Sequence, residues 1–542
     1  MLYLNQDALA DKAAFAAAGI NTPTYDRESI IAKTTAAPTW LHFGAGNLFR
    51  AFPAKVCNQL LCEGILDRGV IAADGFDYQI IDQIYAPHDN LSLSVTLLAD
   101  GNVEKEVIGS VTEAIKADEM GMARLSEIFC APSLQMVSFT ITEKGYAIRR
   151  PDGTLMPSIA EDMSDVPQKA KTFLGRLTAL VYKRYQAGAL PLALVSMDNC
   201  SHNGDKLMAA VLAIADAWTE NGNAEAGFSA YLKDETKITF PISMIDKITP
   251  RPDANVAAML HDVGFGDTET IVTDKNTYIA PFVNAEKPQY LVIEDKFPAG
   301  HPALERGGVI FCDRSIVDKT EKMKVCTCLN PLHTALAVFG CLLGYTLISA
   351  EMKDAELAEM VQVIGYREGL PVVVNPGILD PGAFIDEVVK VRLPNPFMPD
   401  APQRIATDTS QKMAVRFGET IKAYLAGGRD ITALKAIPLV IAGWCRYLLG
   451  VDDNGAPFAI SADPLLETLQ AHLSEITLGK ACPACVHRAL EPILSNANIF
   501  AVNLYEAGLG ETVEALFLRL TAGPGAVRAV LKETFTEGKT GN

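Results

Sequence analysis

Between residues 39 and 310, short runs rich in Val, Ile and Leu alternate with stretches of helical spacing. No other feature limits the fold as much. The apolar runs are Trp40–Phe43, 70–73, 136–140 and 192–195, each followed by glycine or polar residues. Residues 48–63 and 206–218 read as helices between them. Such alternation predicts a mostly parallel sheet covered on both faces. After about Lys319 the character changes, and HTALAVFGCLLGYTLISA, DAELAEMVQVIGYREG and SQKMAVRFGETIKAYLAG all carry helical spacing. The Pro/Gly-rich VVVNPGILDPGAF interrupts two of these stretches. The expected architecture is an N-terminal α/β domain followed by a mainly α-helical one, without repeats or low-complexity tracts.

With 542 residues the chain is too long for one compact core, which agrees with two domains. Its 65 acidic residues against 47 basic ones give a formal charge of -18. That field repels polyphosphates and anionic lipid, so nucleic acid and membrane partners are not expected, whereas a local basic pocket can still hold a small anion. The opening MLYLNQDALADKAAF has no cationic segment before an apolar core, so no secretory signal is expected. The uncharged run 325–350 is long enough to span a bilayer, but Asn330, Pro331 and His333 interrupt it and a buried core helix is expected. Eleven scattered cysteines suggest reduced thiols and a cytoplasmic location. CPAC, 482–485, has redox-motif spacing but no preceding strand and turn, and reads as ordinary thiols.

In an open parallel sheet, ligands bind beyond the carboxyl ends of the strands. After the first run comes Gly44-Ala45-Gly46, a turn that lets backbone approach a pyrophosphate at a helix N-terminus. The third glycine of a G-x-G-x-x-G pattern is replaced by Phe49, a change that bears on packing more than on phosphate contact. The second run ends at Asp74, where a carboxylate can accept from adenosine ribose hydroxyls and repel a 2′-phosphate, favouring NAD over NADP. A solvated strand-end aspartate is the plainer alternative. The later runs end in TITEKGY, 140–146, and SMDNCSHNGD, 196–205, in which Asn199 is either a site residue or a helix cap.

Taken together, FGAGNLFRAF, TITEKGY, DNCSHNG, DKITP at 246–250, IEDKFPAGHPALE at 293–305 and KMKVCTCLNPLH at 322–333 resemble the mannitol dehydrogenase family, the polyol-specific long-chain dehydrogenases. The resemblance covers most of the chain, and in that family too the glycine turn lacks its third glycine and is followed by an arginine. It implies a Rossmann-type NAD-binding domain over residues 1–318, including an N-terminal extension, and a helical substrate-binding domain over residues 319–542. It also implies metal-independent hydride transfer in the cleft between them. By position, Gly44, Gly46, Asn47, Arg50, Asp74 and Thr142 would bind NAD. Lys324 would be the catalytic lysine, with Asn199, Asn330 and His333 around the reacting oxygen and Glu321 as a proton relay. Arg392 in VRLPNP and Lys412 in DTSQKM would contact substrate.

Two departures stand out. Lys324 lies six residues before Asn330, where the family has five, and Pro331 replaces a small residue. One extra helical residue turns a side chain by about 100° unless a π-bulge or a break absorbs it. Asn330 as a helix cap with Pro331 at the first helical position would provide such a break.

Oxidising a secondary alcohol needs a base for the hydroxyl proton and an acceptor for the hydride. A lysine can be that base where a partly desolvated site brings its pKa towards neutrality. Amide donors such as Asn199 and Asn330 would stabilise the alkoxide, and His333 would orient a neighbouring hydroxyl. No zinc ligand set with convincing spacing is present. Within the family, KVCTCLNPLHTALAVFGCLLGY and the chain length look most like the long fructuronate reductases, which interconvert fructuronate and mannonate. Tagaturonate reduction and mannitol 2-oxidation are the alternatives, and an NAD-binding redox sensor using CPAC is the alternative of another class. The expected partner is a small sugar acid; oligomeric state is left open.

Overall fold

The structure, a computed structural model, describes residues 1–536. The chain forms two compact units, the first comprising Met1–Leu98 and Asn102–Val317, the second Ala99–Gly101 and the described residues from Asp318 onward.

The first unit is built on six parallel strands: β1 (Trp40–Phe43), β2 (Val70–Asp74), β3 (Val111–Lys116), β4 (Met136–Phe139), β5 (Leu192–Ser196) and β6 (Ile238–Thr239). Their spatial order is β3-β2-β1-β4-β5-β6, so the chain reverses direction between β1 and β4. That reversal is where α/β sheets of this kind hold ligands. Alternation fixes the two faces. Leu41, Phe43, Ile71, Ala73, Val137, Phe139 and Leu194 enter one buried cluster. Trp40, Val70, Ala72, Met136, Ala193 and Val195 enter the other. A strand buried on both sides has no polar face to display, which is why these runs are apolar throughout. Register pairs Phe43 with Ala73 and Phe139, and Phe139 with Ser196. The turns that follow β1, β4 and β5 therefore open on one edge, with Asp74 at the end of β2 beside them.

Two features differ from the pattern expected from sequence. The single helix expected over 48–63 is two helices, Asn47–Ala51 and Pro53–Cys62, separated at Phe52 with φ -131° and ψ -77°. Pro53 has no N–H for the preceding turn and its ring excludes a continuing helix, but it suits the first position of a new one. A four-stranded mixed sheet also joins Ile20–Asn21, Val103–Ile108, Ser92–Leu97 and Phe282–Glu286. Two of its strands form an antiparallel pair inserted in sequence between β2 and β3.

Beyond Cys312 the regular elements among the described residues are helical. Helix Arg314–Met323 runs into a π-helical turn, Lys324–Cys328, and then into helix Asn330–Leu343. The apolar part of this rod is 83% buried, as a core helix requires. The expectation of thiols throughout is corrected at one pair: Cys482 and Cys485 are joined by a disulfide. Cys482 caps helix Pro483–Leu494 in extended backbone, and this brings its Cα to 5.2 Å from that of Cys485, inside bonding range.

Candidate active site

In the first unit the glycine turn has two distinct requirements. Gly44 has φ +104°, and a Cβ there would sit 2.1 Å from the Thr140 carbonyl oxygen, so only glycine lets β1 and β4 end this close together. A Cβ at Gly46 would meet nothing within 4 Å. That open approach leads to the first N–H groups of helix Asn47–Ala51, which have no acceptor within the helix. Phe49, standing where a third glycine would be, is fully buried and stacks on His42 with ring centres 4.1 Å apart. The substitution thus exchanges close helix–strand packing for an aromatic stack and leaves the turn open.

Asp74 holds this turn from β2. Its Oδ2 accepts from Ala45 N–H at 3.1 Å, and its Oδ1 accepts from Phe76 and Asp77 N–H at 2.8 Å each. Burial pushes the carboxyl up, opposed by those three donors. With Oδ1 saturated, Oδ2 keeps one acceptor position for a further hydroxyl. Arg50 lies deeper than a ligand-contacting role needs. It is fully buried, donating to the Ala280 carbonyl at 2.8 Å and to Asn47 Oδ1 at 2.8 Å. Its place is beneath Asn47, fixing that side chain.

At the ends of β4 and β5 the organising residue is Asp198, which sequence reading passed over beside Asn199. Asp198 accepts from the N–H groups of Ile141 and Thr142 at 2.9 and 2.8 Å and from the Tyr146 hydroxyl. Burial drives its carboxyl up against these donors. They hold Thr142 at φ +65°, a backbone conformation costly for a side-chain-bearing residue, with its side chain exposed. Asn203 continues the network, donating to the Asp198 carbonyl at 2.9 Å and accepting from Ser243 N–H at 2.9 Å. Asn199 itself is exposed, next to this rigid support.

In the second unit the extra residue between Lys324 and Asn330 is taken up by the π-helical turn. Leu329 N–H reaches back to the Lys324 carbonyl at 3.1 Å, a five-residue closure instead of the usual four. Helix Asn330–Leu343 then starts afresh with Pro331 in its first turn. Lys324 is 4% exposed, whereas the nearby Lys322 is half exposed and pairs with Glu419 at 3.1 Å. Glu321 lies half-buried in the turn before Lys324. His333 Nε2 stands 3.5 Å from Asp400 Oδ2, an ion-pair distance without hydrogen-bond geometry. Burial raises the Asp400 carboxyl, but His333 and Arg404 outweigh it and hold it below its ordinary value. No local pattern in the sequence points to Asp400.

Arg392 is buried at the end of another π-helical turn, Val388–Arg392. Lys412 donates to the carbonyls of Thr407 and Ile405, and its pKa is lowered by burial and by Arg416. Arg416, on the π-helical turn Ala414–Gly418, donates to the Thr334 hydroxyl, which donates to the Asn330 carbonyl at 2.9 Å. Irregular helical turns of this kind are rare and gather at functional sites. Here they bear or adjoin most of the residues singled out in this unit.

Residues 38–306 match the Mannitol dehydrogenase Rossmann domain, and residues 317–505 the Mannitol dehydrogenase C-terminal domain. D-mannonate oxidoreductase of Thermotoga maritima is 51% identical over 535 residues, 98% of each chain. Mannitol 2-dehydrogenase of Pyrenophora tritici-repentis is 30% identical over 468 residues, 84% of this chain and 76% of its own. Among solved structures, Pseudomonas fluorescens mannitol 2-dehydrogenase, in a ternary complex with NAD and D-mannitol, superposes with a TM-score of 0.68 at 26% identity, covering 98% of this chain and 100% of that one. Two domain matches, a full-length relative and the sheet order lead to one conclusion: the chain belongs to the mannitol dehydrogenase family.

Proposed function

We propose that the protein is an NAD-dependent oxidoreductase that interconverts D-fructuronate and D-mannonate, with a lysine instead of a metal handling the proton. The observation that carries this reading is the 51% identity to a D-mannonate oxidoreductase across 98% of both chains. Residues 1–318 take the cofactor and residues 319–542 the sugar acid. Gly44, Gly46, Asn47, Asp74 and Thr142 hold NAD, with Arg50 fixing Asn47 from beneath; the open approach at Gly46 and the remaining acceptor position on Asp74 suit a dinucleotide without a 2′-phosphate.

NAD supplies the acceptor for the hydride in oxidation and its source in reduction. Lys324 removes the proton from the substrate hydroxyl, or returns it to the ketone oxygen in reverse. The π-helical turn supports this assignment, because it offers the extra residue a place outside the regular helix. Asn199 and Asn330 donate to the developing alkoxide. His333, steadied by Asp400, orients a neighbouring hydroxyl, Glu321 relays the lysine's proton, and Arg392 and Lys412 bind the rest of the sugar acid. A cytoplasmic location fits the nine cysteines that remain thiols.

The test is NADH oxidation with D-fructuronate, D-tagaturonate and D-fructose, repeated with NADPH. The highest kcat/KM is expected for fructuronate with NADH. A higher value for fructose moves the assignment to mannitol 2-dehydrogenase, and absence of turnover with all three removes the enzymatic reading.

A further inference from the structure

Arg416 is a cation held in an unusual way. It is half-buried, and among the described residues its side chain makes one hydrogen bond to another side chain, the neutral hydroxyl of Thr334. A guanidinium has five N–H donors in a planar fork, so most of its capacity is unused there. Neighbouring cations are otherwise engaged. Arg404 is paired with Asp400, Lys322 with Glu419, and Lys412 turns to the carbonyls of Ile405 and Thr407. Burial alone lowers the Arg416 pKa to about 10, with no carboxylate opposing the shift. Taking a charge out of water without a counter-charge is costly, and a chain that needed only packing there could use an apolar side chain.

Its position is equally specific. Through Thr334 the guanidinium is tied to the Asn330 carbonyl, at the start of the helix that also carries His333. It sits on a π-helical turn, Ala414–Gly418, packed against the one that bears Lys324. The cation is therefore placed next to the residues assigned to the reacting carbon, in a protein whose net charge of -18 would otherwise disfavour an acid substrate.

We propose that Arg416 binds the substrate carboxylate, selecting sugar acids over uncharged ketoses and polyols. This inference rests on the sugar-acid reading above and names the group that recognises the acid. A carboxylate would meet the guanidinium fork with two parallel hydrogen bonds, a geometry that a lysine cannot copy. Arg416 is then a specificity residue acting by direct contact, alongside Arg392 and Lys412.

The experiment compares D-mannonate with D-mannonamide, its uncharged amide, as ligands of the NAD-loaded enzyme. Turnover of mannonate by the wild type tests the sugar-acid reading by itself; the ratio of the two dissociation constants in the variants tests Arg416. Wild type should prefer the acid, and Arg416→Gln should shrink that preference by on the order of 100-fold, the worth of a charge-assisted bidentate contact. Arg416→Lys, keeping the cation without the fork, should retain part of the preference. NADH affinity of both variants should match wild type, and the melting temperature of Arg416→Gln, which no longer buries an uncompensated charge, should be no lower than wild type. Should Arg416→Gln fail to fold, the reduced preference must appear in Arg416→Lys. A wild-type ratio in the folded variants, whatever their loss of rate, overturns the proposal.

Discussion

The strand ends of the first unit and the helical core around Lys324 treat buried polar groups in opposite ways. At the strand ends, Asp74 and Asp198 each take three donors from neighbouring turns, and Asn203 is bonded on both its oxygen and its nitrogen. Carboxylates held by three donors fix backbone, so this region presents N–H groups and glycines at set positions before any ligand arrives. In the helical core, among the described residues, Arg416 has one side-chain hydrogen bond, to a neutral hydroxyl, and His333 Nε2 has a long contact to Asp400. Glu351 is fully buried, and among the described residues neither carboxylate oxygen has a hydrogen-bond partner. The first region is finished by the protein. The second leaves ionisable groups whose energetics depend on a proton or a ligand, and such groups gather where chemistry is done.

Substitutions in the two regions should therefore fail differently. The largest effect is expected for Lys324→Ala, where steady-state kinetics should show kcat lower by about 1,000-fold, the middle of the range of general acid–base catalysis, with NADH affinity kept. Lys322→Ala, at the exposed position paired with Glu419, should remain active.

Next comes Glu351. Burial, with Asp354 adding to it, pushes its carboxyl up to about 9. A carboxyl that binds its proton more tightly when folded favours the native state most at low pH, and that stability is lost as pH rises from about 4.5 towards 9. Glu351→Gln should flatten this decline and raise stability at pH 7 by up to roughly 3 kcal/mol. Denaturant unfolding across that range checks it; an unchanged slope would show that the unbonded carboxyl is not the source.

A smaller change is expected at Asp74, because the glycine turn it holds has other support. Asp74→Asn should weaken NADH binding about tenfold and narrow the gap to NADPH, as measured by titration. A wild type that prefers NADPH would contradict the role given to this carboxylate. The smallest effect is at the disulfide. Cys482→Ser/Cys485→Ser should leave turnover and cofactor affinity unchanged, and an oxidant sensitivity that vanishes in this variant would instead make the pair a switch.

The same contrast explains what could be read from the sequence. The parallel sheet was legible because strands buried on both faces are apolar throughout, and Trp40–Phe43 and 192–195 allow no other placement. The break at Phe52 was signalled by Pro53, yet the helical spacing on either side concealed it. Asp198 went unrecognised because its role is to hold backbone from two distant segments, and no spacing encodes that. In the helical core, Lys324 and Asn330 were found through family resemblance, and the departure in their spacing pointed to the π-helical turn. Arg416 is a single charged residue in an amphipathic stretch, where a solvated helix face is the ordinary explanation, and Asp400 stands in the proline-rich loop NPFMPDAP, where a solvated turn residue is. Only their partners in space distinguish them.

The central claim is that Lys324 handles the proton of a hydride transfer on a sugar acid. Its most direct test is the pH dependence of kcat/KM for NADH-dependent reduction of D-fructuronate in wild type, Lys324→Ala and Lys322→Ala. Reduction requires the protonated acid, so the wild-type rate should fall on the alkaline side as the lysine loses its proton. That limb should be absent from the residual activity of Lys324→Ala and intact in Lys322→Ala. An alkaline limb that survives in Lys324→Ala, or disappears in Lys322→Ala, would contradict the account.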